Sequence, residues 1–180
     1  MAEYVGLHRC FDAEVPPIRP LPGFDSVLGY IGGAELAGKP WTREQWQPFA
    51  GLAQFPCYVP SLARYASAQA NEACLLARDL GWRPGRAIVF DLETAKAPGW
   101  WSACRERTRE LGYVPVAYGS VSTLPYNRAA LMWGADWNDV PELVEDGQSF
   151  EAMQIENTPA YDVSVVSHWL YLRAGTGART

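Results

Sequence analysis

The sequence predicts an α/β protein built as an irregular, compressed (β/α) barrel. Short apolar segments alternate with helical or loop segments along all 180 residues, a rhythm typical of α/β folds. Eight of these segments are candidate strands, the number that closes a barrel of the TIM type. Four of the eight fall within about fifty residues between Val114 and Val166, where a regular barrel would need full helices. We therefore expect helices to be short or missing in the C-terminal half.

The candidate strands are apolar runs bounded by turn residues. They are Tyr4–Leu7, Val27–Gly32, Pro56–Val59, Ala87–Glu93, Val114–Gly119, Leu131–Asp136, Ala152–Glu156 and Asp162–Val166.

Three helices are predicted between the early strands. In the clearest, from about Ser61 to Leu80, alanines recur at helical spacing, with Ser61 as the expected N-cap and Gly81 as the end. A second begins after Thr42, an N-cap with Gln45 three residues on, and runs to about Leu52. A third covers the range from about Pro98 to Leu111.

Length and composition indicate one domain over residues 1–172 and a flexible tail over residues 173–180. The formal net charge of -5 argues against nucleic acid or an anionic membrane as partner. No apolar run reaches the roughly 20 residues of a membrane span, and the N-terminus lacks a signal-peptide pattern. We therefore expect no membrane insertion and a chain that is cytoplasmic as synthesised. The oligomeric state is not predicted.

The cysteines and histidines offer little for a metal or nucleophilic site. The four cysteines, at positions 10, 57, 74 and 104, form no CxxC pair and are expected to be free and mostly buried. His8 and His168 are the only histidines, which leaves little basis for a triad or a His-rich metal site. We expect no cofactor and no metal, so that carboxylates carry any acid-base chemistry.

The strongest chemical feature is a strand that ends in two carboxylates, Asp91 and Glu93. Side chains alternate along a strand, so both acids would share one face with Val89 and point toward the barrel axis. Barrel enzymes keep their active sites at this C-terminal rim. Two close carboxylates do not both ionise easily, which raises the pKa of one of them and makes it a candidate general acid. Helix capping or an Arg partner is the structural alternative.

Other strand ends carry further acids and aromatic residues. Asp12 follows the first strand, Asp136 ends the sixth and Asp162 opens the last, so each is expected at the same mouth, although an isolated Asp more often caps a turn. Three strand-end tyrosines could stack on a sugar ring or pack in the core: Tyr30, Tyr58 and Tyr118.

These motifs together resemble a known family. They are Phe11–Asp12, Gly29–Gly33, the alanine-rich helix, Phe90–Glu93, Gly112–Ser120 and Ala135–Trp137. In this order they resemble the glycoside-hydrolase-like domain of unknown function of actinobacteria and their phages, a relative of the glycoside hydrolase family 25 lysozymes. The resemblance extends from Asp12 to Asp162 and implies an irregular β/α barrel.

The resemblance also implies roles for individual residues. Glu93 matches the general acid, and Asp91 matches the partner that stabilises a cationic intermediate formed with help from the substrate's acetamido group. Asp12 and Asp162 match two further acids at the mouth. Asp136 and Trp137 lie where the family has a Trp-x-Ala pattern, and we expect both to contact substrate.

Two functions of different classes follow. The first is a cell-wall glycosidase that hydrolyses β-1,4 aminosugar linkages of peptidoglycan without metal or cofactor. The second is a noncatalytic module that binds wall polysaccharide or a partner protein, for example in a phage particle. The opening Leu7–Asp12 lacks the Gly-x-Asp-x-Ser pattern of active lysozymes, which favours the second. A plain scaffold is a third reading. Release by lysis or carriage in a phage particle would bring either to the wall.

Overall fold

The computed structural model describes residues 6–33, 40–93, 95–127, 129–136, 143–145 and 148–175. Its strands are β1 (Leu7–Asp12), β2 (Ser26–Gly33), β3 (Ala53–Val59), β4 (Ala87–Asp91), β5 (Val114–Ser120), β6 (Met132–Ala135), β7 (Val144–Glu145), β8 (Gln148–Ser149), β9 (Ala152–Asn157) and β10 (Asp162–Ser167). Eight of them close into a barrel in the order β1-β10-β9-β6-β5-β4-β3-β2, while β7 and β8 form a separate two-stranded sheet. The predicted α/β barrel is confirmed.

One strand of the barrel runs against the others. Strand β10 is antiparallel to both of its neighbours, β1 and β9, whereas the remaining neighbouring pairs are parallel. The first residue of β10 therefore lies at the same end of the barrel as the last residues of the parallel strands. The register pairs Asp12 directly with Asp162.

The barrel interior is a packed core of its own. Its buried side chains come from alternate strand positions and include Leu28, Phe55, Val89 and Trp133. The Trp133 ring lies edge-on to Phe55 with centroids 5.3 Å apart. Its indole Nε1 donates a hydrogen bond of 3.1 Å to the Ser164 hydroxyl. This interior fills the barrel below its C-terminal mouth.

A second core lies between the barrel and its outer helices. Helices α2 (Ala66–Leu80) and α3 (Pro98–Glu110) cover one side. A cluster of aromatic residues fills the gap near β2, where Trp41 and Trp46 pack with centroids 4.7 Å apart. Gly29 allows this approach, because a Cβ atom there would lie 2.8 Å from Trp46 and 2.9 Å from Trp41. The two cores give the strand ends a rigid support.

The first helix is shorter than predicted. Thr42 is its N-cap, and the capping box with Gln45 is formed as the sequence indicates. However, α1 covers only Arg43–Trp46 and continues as a single 3-10 turn, Gln47–Phe49. Pro48 explains the early end, since proline donates no backbone hydrogen bond and clashes with the preceding turn.

Helix α2 begins five residues later than predicted. Ser61 does not cap it; instead the Ser61 N–H donates to Gln69 Oε1 at 2.7 Å, and Gln69 Nε2 donates to the Ser61 carbonyl at 2.6 Å. The side chain of Gln69 thus holds the preceding turn. Gly81 ends the helix with φ 109°, as predicted.

Helix α3 agrees with its prediction, whereas a short fourth helix was not predicted. Helix α3 begins at Pro98 and ends at Glu110, one residue before the predicted end. Within the described residues, helix in the C-terminal half is limited to the short α4 (His168–Tyr171) after α3 ends. The helices there are short, as the crowding of the strands indicates.

Among the strand boundaries that differ from the prediction, those of β1 and β4 bear on the functional groups. Strand β1 begins at Leu7 and ends at Asp12, whereas the apolar pattern placed it at Tyr4–Leu7; residues 1–5 lie outside the described residues. The polar residues His8 and Arg9 interrupt the apolar pattern that indicates a strand. Both lie half-buried at the N-terminal end of the barrel. Strand β4 ends at Asp91, so Glu93 lies beyond it.

The predicted tail begins too early at residue 173. The Arg173 carbonyl accepts a hydrogen bond from Ala87 N, Ala174 is buried, and Gly175 pairs with Gln54 in an isolated bridge. The packed chain therefore extends to Gly175, and residues 176–180 lie outside the described residues.

Two other predictions from composition can be compared with the structure. All four cysteines are free and buried. No helix among the described residues is long and apolar enough to cross a membrane.

The Trp133–Ser164 hydrogen bond predicts a measurable contribution to stability. Ser164→Ala leaves a buried indole N–H without its acceptor, so the free energy of unfolding should fall by about 1–3 kcal/mol. Urea denaturation measures it, with Ser67→Ala on the exposed face of α2 as the matched control. Equal stability of the two variants would show that the hydrogen bond contributes nothing.

Candidate active site

An open cavity of about 720 Å³ lies at the C-terminal mouth of the barrel. Its lining combines acids, tyrosines and proline-rich loop residues. It consists of Asp12, Ala13, Glu14, Val15, Pro16, Pro17, Tyr30, Glu93, Tyr118, Gln154, Asn157, Thr158, Pro159, Ala160, Tyr161 and Asp162. Strand ends supply the floor, and the loops after β1 and β9 supply a wall. Five residues predicted from the sequence meet here: Asp12, Tyr30, Glu93, Tyr118 and Asp162.

Asp12 and Asp162 form one acidic side of the cavity. Asp12 is only 6% exposed, and within the described part of the chain its Oδ1 atom has no hydrogen-bond partner. Burial, followed by repulsion from Asp162 and Asp91, raises the pKa of Asp12 well above its ordinary value. Burial also raises the pKa of the half-buried Asp162, against the opposing effect of a hydrogen bond from Gln154.

Asp91 and Glu93 form the second acidic pair. Asp91 is buried at the end of β4, and its Oδ1 accepts a hydrogen bond of 3.2 Å from the Glu93 backbone N–H. Burial and then the charge of Glu93 raise the pKa of Asp91 to about 7. Glu93 itself is exposed and lines the cavity. The acid of the pair whose pKa is raised is thus the buried Asp91.

The backbone at Glu93 has an unusual and well-supported conformation. Glu93 has φ 50°, in the left-handed region that non-glycine residues rarely adopt. Its carbonyl accepts hydrogen bonds from Ser120 N at 3.0 Å and from Thr123 Oγ1 at 3.3 Å. Gly119 makes room for that carbonyl, because a Cβ atom at Gly119 would lie 2.3 Å from its oxygen. This turn, and not strand alternation, brings Glu93 to the cavity.

Two tyrosines and a glutamine complete the floor. The Tyr118 hydroxyl donates a hydrogen bond to Gln154 Oε1, and the Gln154 side chain also hydrogen-bonds Asp162. Burial raises the pKa of both Tyr30 and Tyr118, so each hydroxyl keeps its proton. The Tyr118 proton is donated to Gln154, which leaves the Tyr118 oxygen as an acceptor for a ligand. Gln154 connects β5 to β10 and orients two groups of the cavity.

Gln154 and the loop wall were missed from the sequence. Gln154 had a usable signal, because it is a polar residue between the apolar Met153 and Ile155 in a buried strand. The residues of the loop wall, such as Pro16 and Pro159, had no signal in the sequence. Strand order decides which loops face each other, and strand order could not be predicted. The structure reveals both.

Two of the predicted binding residues, Tyr58 and Asp136, do not line the cavity, and a third, Trp137, lies outside the described residues. Tyr58 is buried on the outer face of β3, edge-on to Phe90 with centroids 6.0 Å apart, whereas the neighbouring Cys57 faces the interior. Alternation along the strand therefore corrects the expectation for Tyr58. Asp136 is half-buried just after β6 and outside the cavity lining.

The acidic cluster is not arranged as a metal site. Across the described ranges, no group of three or more His, Cys, Asp or Glu side chains could hold a metal ion.

The raised pKa of Asp91 predicts how stability depends on pH. The folded state holds this proton up to about pH 7, whereas the unfolded chain loses it near pH 3.8, so the free energy of unfolding falls as pH rises through this window. Asp91→Asn removes the penalty and keeps an acceptor for the Glu93 N–H. We expect the variant to be more stable than wild type at pH 8, by at most roughly 4 kcal/mol, and to gain little at pH 4.

Guanidinium denaturation at both pH values tests this expectation. Asp79→Asn, at an exposed position on α2, is the matched control and should change stability little at either pH. A loss of stability in Asp91→Asn at pH 8 would contradict the proposed electrostatic penalty.

Comparison with known proteins finds similarity in structure. No family model and no curated protein matches the sequence. An uncharacterized protein of B. stearothermophilus has 16% identity and a TM-score of 0.70, with 91% of this chain and 97% of that chain covered. A muramidase from Trichobolus zukalii has 15% identity and a TM-score of 0.69, with 93% and 98% covered. A Tat-secreted protein of Mycobacterium tuberculosis, in complex with L-tartrate, has 13% identity and a TM-score of 0.65, with 88% and 95% covered. The chain therefore has the barrel fold of the muramidases and lysozymes, which confirms at the level of the fold the resemblance seen in its motifs.

Proposed function

We propose that this protein is a cell-wall glycosidase of the lysozyme type, which hydrolyses β-1,4 aminosugar linkages in peptidoglycan. The observation that carries the proposal is the placement of Glu93. Its carboxylate is exposed at the cavity, which Asp12 and Asp162 also line, and the buried Asp91 lies outside the lining but near enough to raise the pKa of Asp12. A proton donor beside a cluster of carboxylates is what glycoside hydrolysis needs, because the transition state is cationic.

Glu93 is proposed as the general acid. Its carboxyl group would protonate the glycosidic oxygen, and the electrons of the bond from C1 to that oxygen would leave with the departing sugar. Attack at C1 by the oxygen of the substrate's own acetamido group would give a cyclic cation. Water would then open this intermediate and return a proton to Glu93. The supported backbone at Glu93 fixes where that carboxyl group is presented.

The buried acids are proposed to stabilise the positive charge that develops at C1. Burial and then repulsion from neighbouring carboxylates, Glu93 among them in each case, raise the pKa values of Asp12, Asp91 and Asp162, so a negative charge on any of them is unfavourable in the free protein. A cation in the cavity relieves that repulsion, whereas the neutral substrate does not. The cluster therefore favours the transition state over the ground state. Asp91 is proposed as the partner of Glu93 in this role.

The shape and charge of the cavity support a polysaccharide as ligand. Tyr30 offers ring surface and a hydroxyl donor, Tyr118 offers a hydroxyl oxygen that can accept, and the prolines of the two loops offer an apolar wall for the faces of sugar rings. The net charge of -5 does not favour nucleic acid. The muramidase among the structural neighbours supports the same ligand class.

We propose that the protein acts at the wall, outside the cytoplasm. The Tat-secreted neighbour supports export as a route. Release of the protein by cell lysis and its carriage in a phage particle are two other routes to the wall, and both stay predictions.

The test measures reducing ends and turbidity loss from purified actinobacterial peptidoglycan. Glu93→Gln keeps the shape of the side chain but cannot deliver a proton, so hydrolysis should fall by about 100-fold or more. Glu156→Gln is the matched control, because Glu156 is an exposed glutamate at the end of β9 outside the cavity lining. It should hydrolyse the wall at the wild-type rate.

Pelleting with insoluble wall separates the two functions. Glu93→Gln should still pellet with the wall if the protein is a glycosidase. No hydrolysis by the wild type, with pelleting retained, would overturn the enzymatic proposal in favour of the noncatalytic binding module. Equal hydrolysis by wild type and Glu93→Gln would remove Glu93 from the mechanism.

A further inference from the structure

The chain's only two histidines meet at the end of the barrel opposite the cavity. His8 lies near the start of β1, and His168 follows β10 as the first residue of α4. Their ring nitrogens, Nε2 of His8 and Nδ1 of His168, are 3.0 Å apart although 160 residues separate them in sequence. The acidic cavity lies at the other end of β1, beside Asp12, so this pair takes no part in the proposed hydrolysis.

Two neighbours fix the orientation of the His8 ring. The Asp25 carboxylate, through Oδ2, lies 2.6 Å from His8 Nδ1, which therefore carries the proton and donates it to Asp25. The Tyr171 ring stacks on the His8 ring with centroids 3.6 Å apart and planes 8° apart. In the neutral imidazole the remaining nitrogen, Nε2, keeps its lone pair, and it faces His168. A carboxylate behind a histidine is the outer-shell arrangement typical of metal-binding histidines.

We propose that His8 Nε2 and His168 Nδ1 together bind one divalent transition-metal ion of the kind that prefers imidazole, with Zn²⁺ as the representative. Imidazole suits zinc, nickel and copper ions, and water would complete the coordination. Two nitrogens on one tetrahedral zinc ion are about 3.3–3.4 Å apart, given bond lengths of about 2.0–2.1 Å. His168 is exposed and His8 is fixed, so rotation of the His168 ring supplies the change of separation and direction.

Metal binding would displace the proton that lies between the two histidine rings. Without metal, one proton lies between the two rings; when both imidazoles are neutral and His8 Nδ1 donates to Asp25, His8 Nε2 accepts it from His168 Nδ1. On binding, His168 carries that proton on its other nitrogen, and both facing lone pairs bond to the ion. No redox step or covalent change of the protein is involved.

Metal binding by the two histidines would stabilise the folded chain. His8 belongs to the first strand of the barrel, and His168 to the last helix. An ion held between them ties β1 to α4 and stabilises the folded chain, since the unfolded chain does not hold the two side chains together. Two protein ligands are fewer than structural or catalytic zinc sites use, so binding is reversible and depends on Asp25.

Titration calorimetry of the full-length protein with ZnSO4, in a buffer that does not chelate metals, tests the proposal. Wild type should bind one ion per chain, and His8→Ala and His168→Ala should each lose this binding. Asp25→Asn should weaken it by about 10-fold, because it removes the charge behind His8 while keeping a hydrogen-bond acceptor. The control Asp79→Asn, at an exposed site on α2, should bind as wild type does.

A thermal shift provides a second readout, which also checks that the variants fold. Zn²⁺ should raise the melting temperature of wild type and of Asp79→Asn, but not that of folded His168→Ala. Absence of zinc binding by wild type would overturn the proposal. Undiminished binding by folded His8→Ala and His168→Ala would also overturn it, by placing the ion elsewhere, for example at the acidic cavity.

Discussion

The antiparallel insertion of β10 between β1 and β9 is the constraint on which the site depends. In an all-parallel barrel the first residue of a strand lies at the N-terminal end, away from the mouth. Because β10 runs in the opposite direction, its first residue, Asp162, lies beside Asp12 at the C-terminal end. The same reversal carries the chain back to the opposite end, where His168 follows β10 and meets His8. One change of strand direction thus creates two side-chain clusters, one at each end.

The acids at the mouth of the barrel lower the stability of the fold, and the packing of the two cores offsets this cost. Burial raises the pKa of Asp12 and of Asp91, which means that the fold disfavours their charged forms. The packed interior around Trp133 and the outer layer around Trp41 and Trp46 hold the strand ends in place despite this repulsion. A protein that keeps several poorly solvated acids at one opening has given up stability there, a pattern typical of functional sites.

The backbone around Glu93 gives the proposed acid a defined position. Its left-handed φ is unfavourable for glutamate, and it persists because Ser120, Thr123 and Asp91 hydrogen-bond the same residue while Gly119 leaves space for its carbonyl. Asp91 therefore has two contributions in the proposed mechanism, as a charge near C1 and as the acceptor that holds the Glu93 N–H. Loop residues from β1 and β9 close the other side of the cavity, so the wall and the acid come from opposite sides of the barrel.

The sequence by itself determined the features that depend on neighbouring residues. The apolar run before Asp91, the capping box at Thr42, the glycine stop at Gly81 and the shortage of space for late helices all follow from local periodicity, capping chemistry and chain length. Only the tertiary structure decided the features that depend on which strands are neighbours and in which direction they run. These include the pairing of Asp12 with Asp162, the loop wall of the cavity, the turn at Glu93, and the meeting of His8 with Asp25 and His168. Register and strand direction are set by the closure of the whole barrel, and no local pattern in the sequence encodes them.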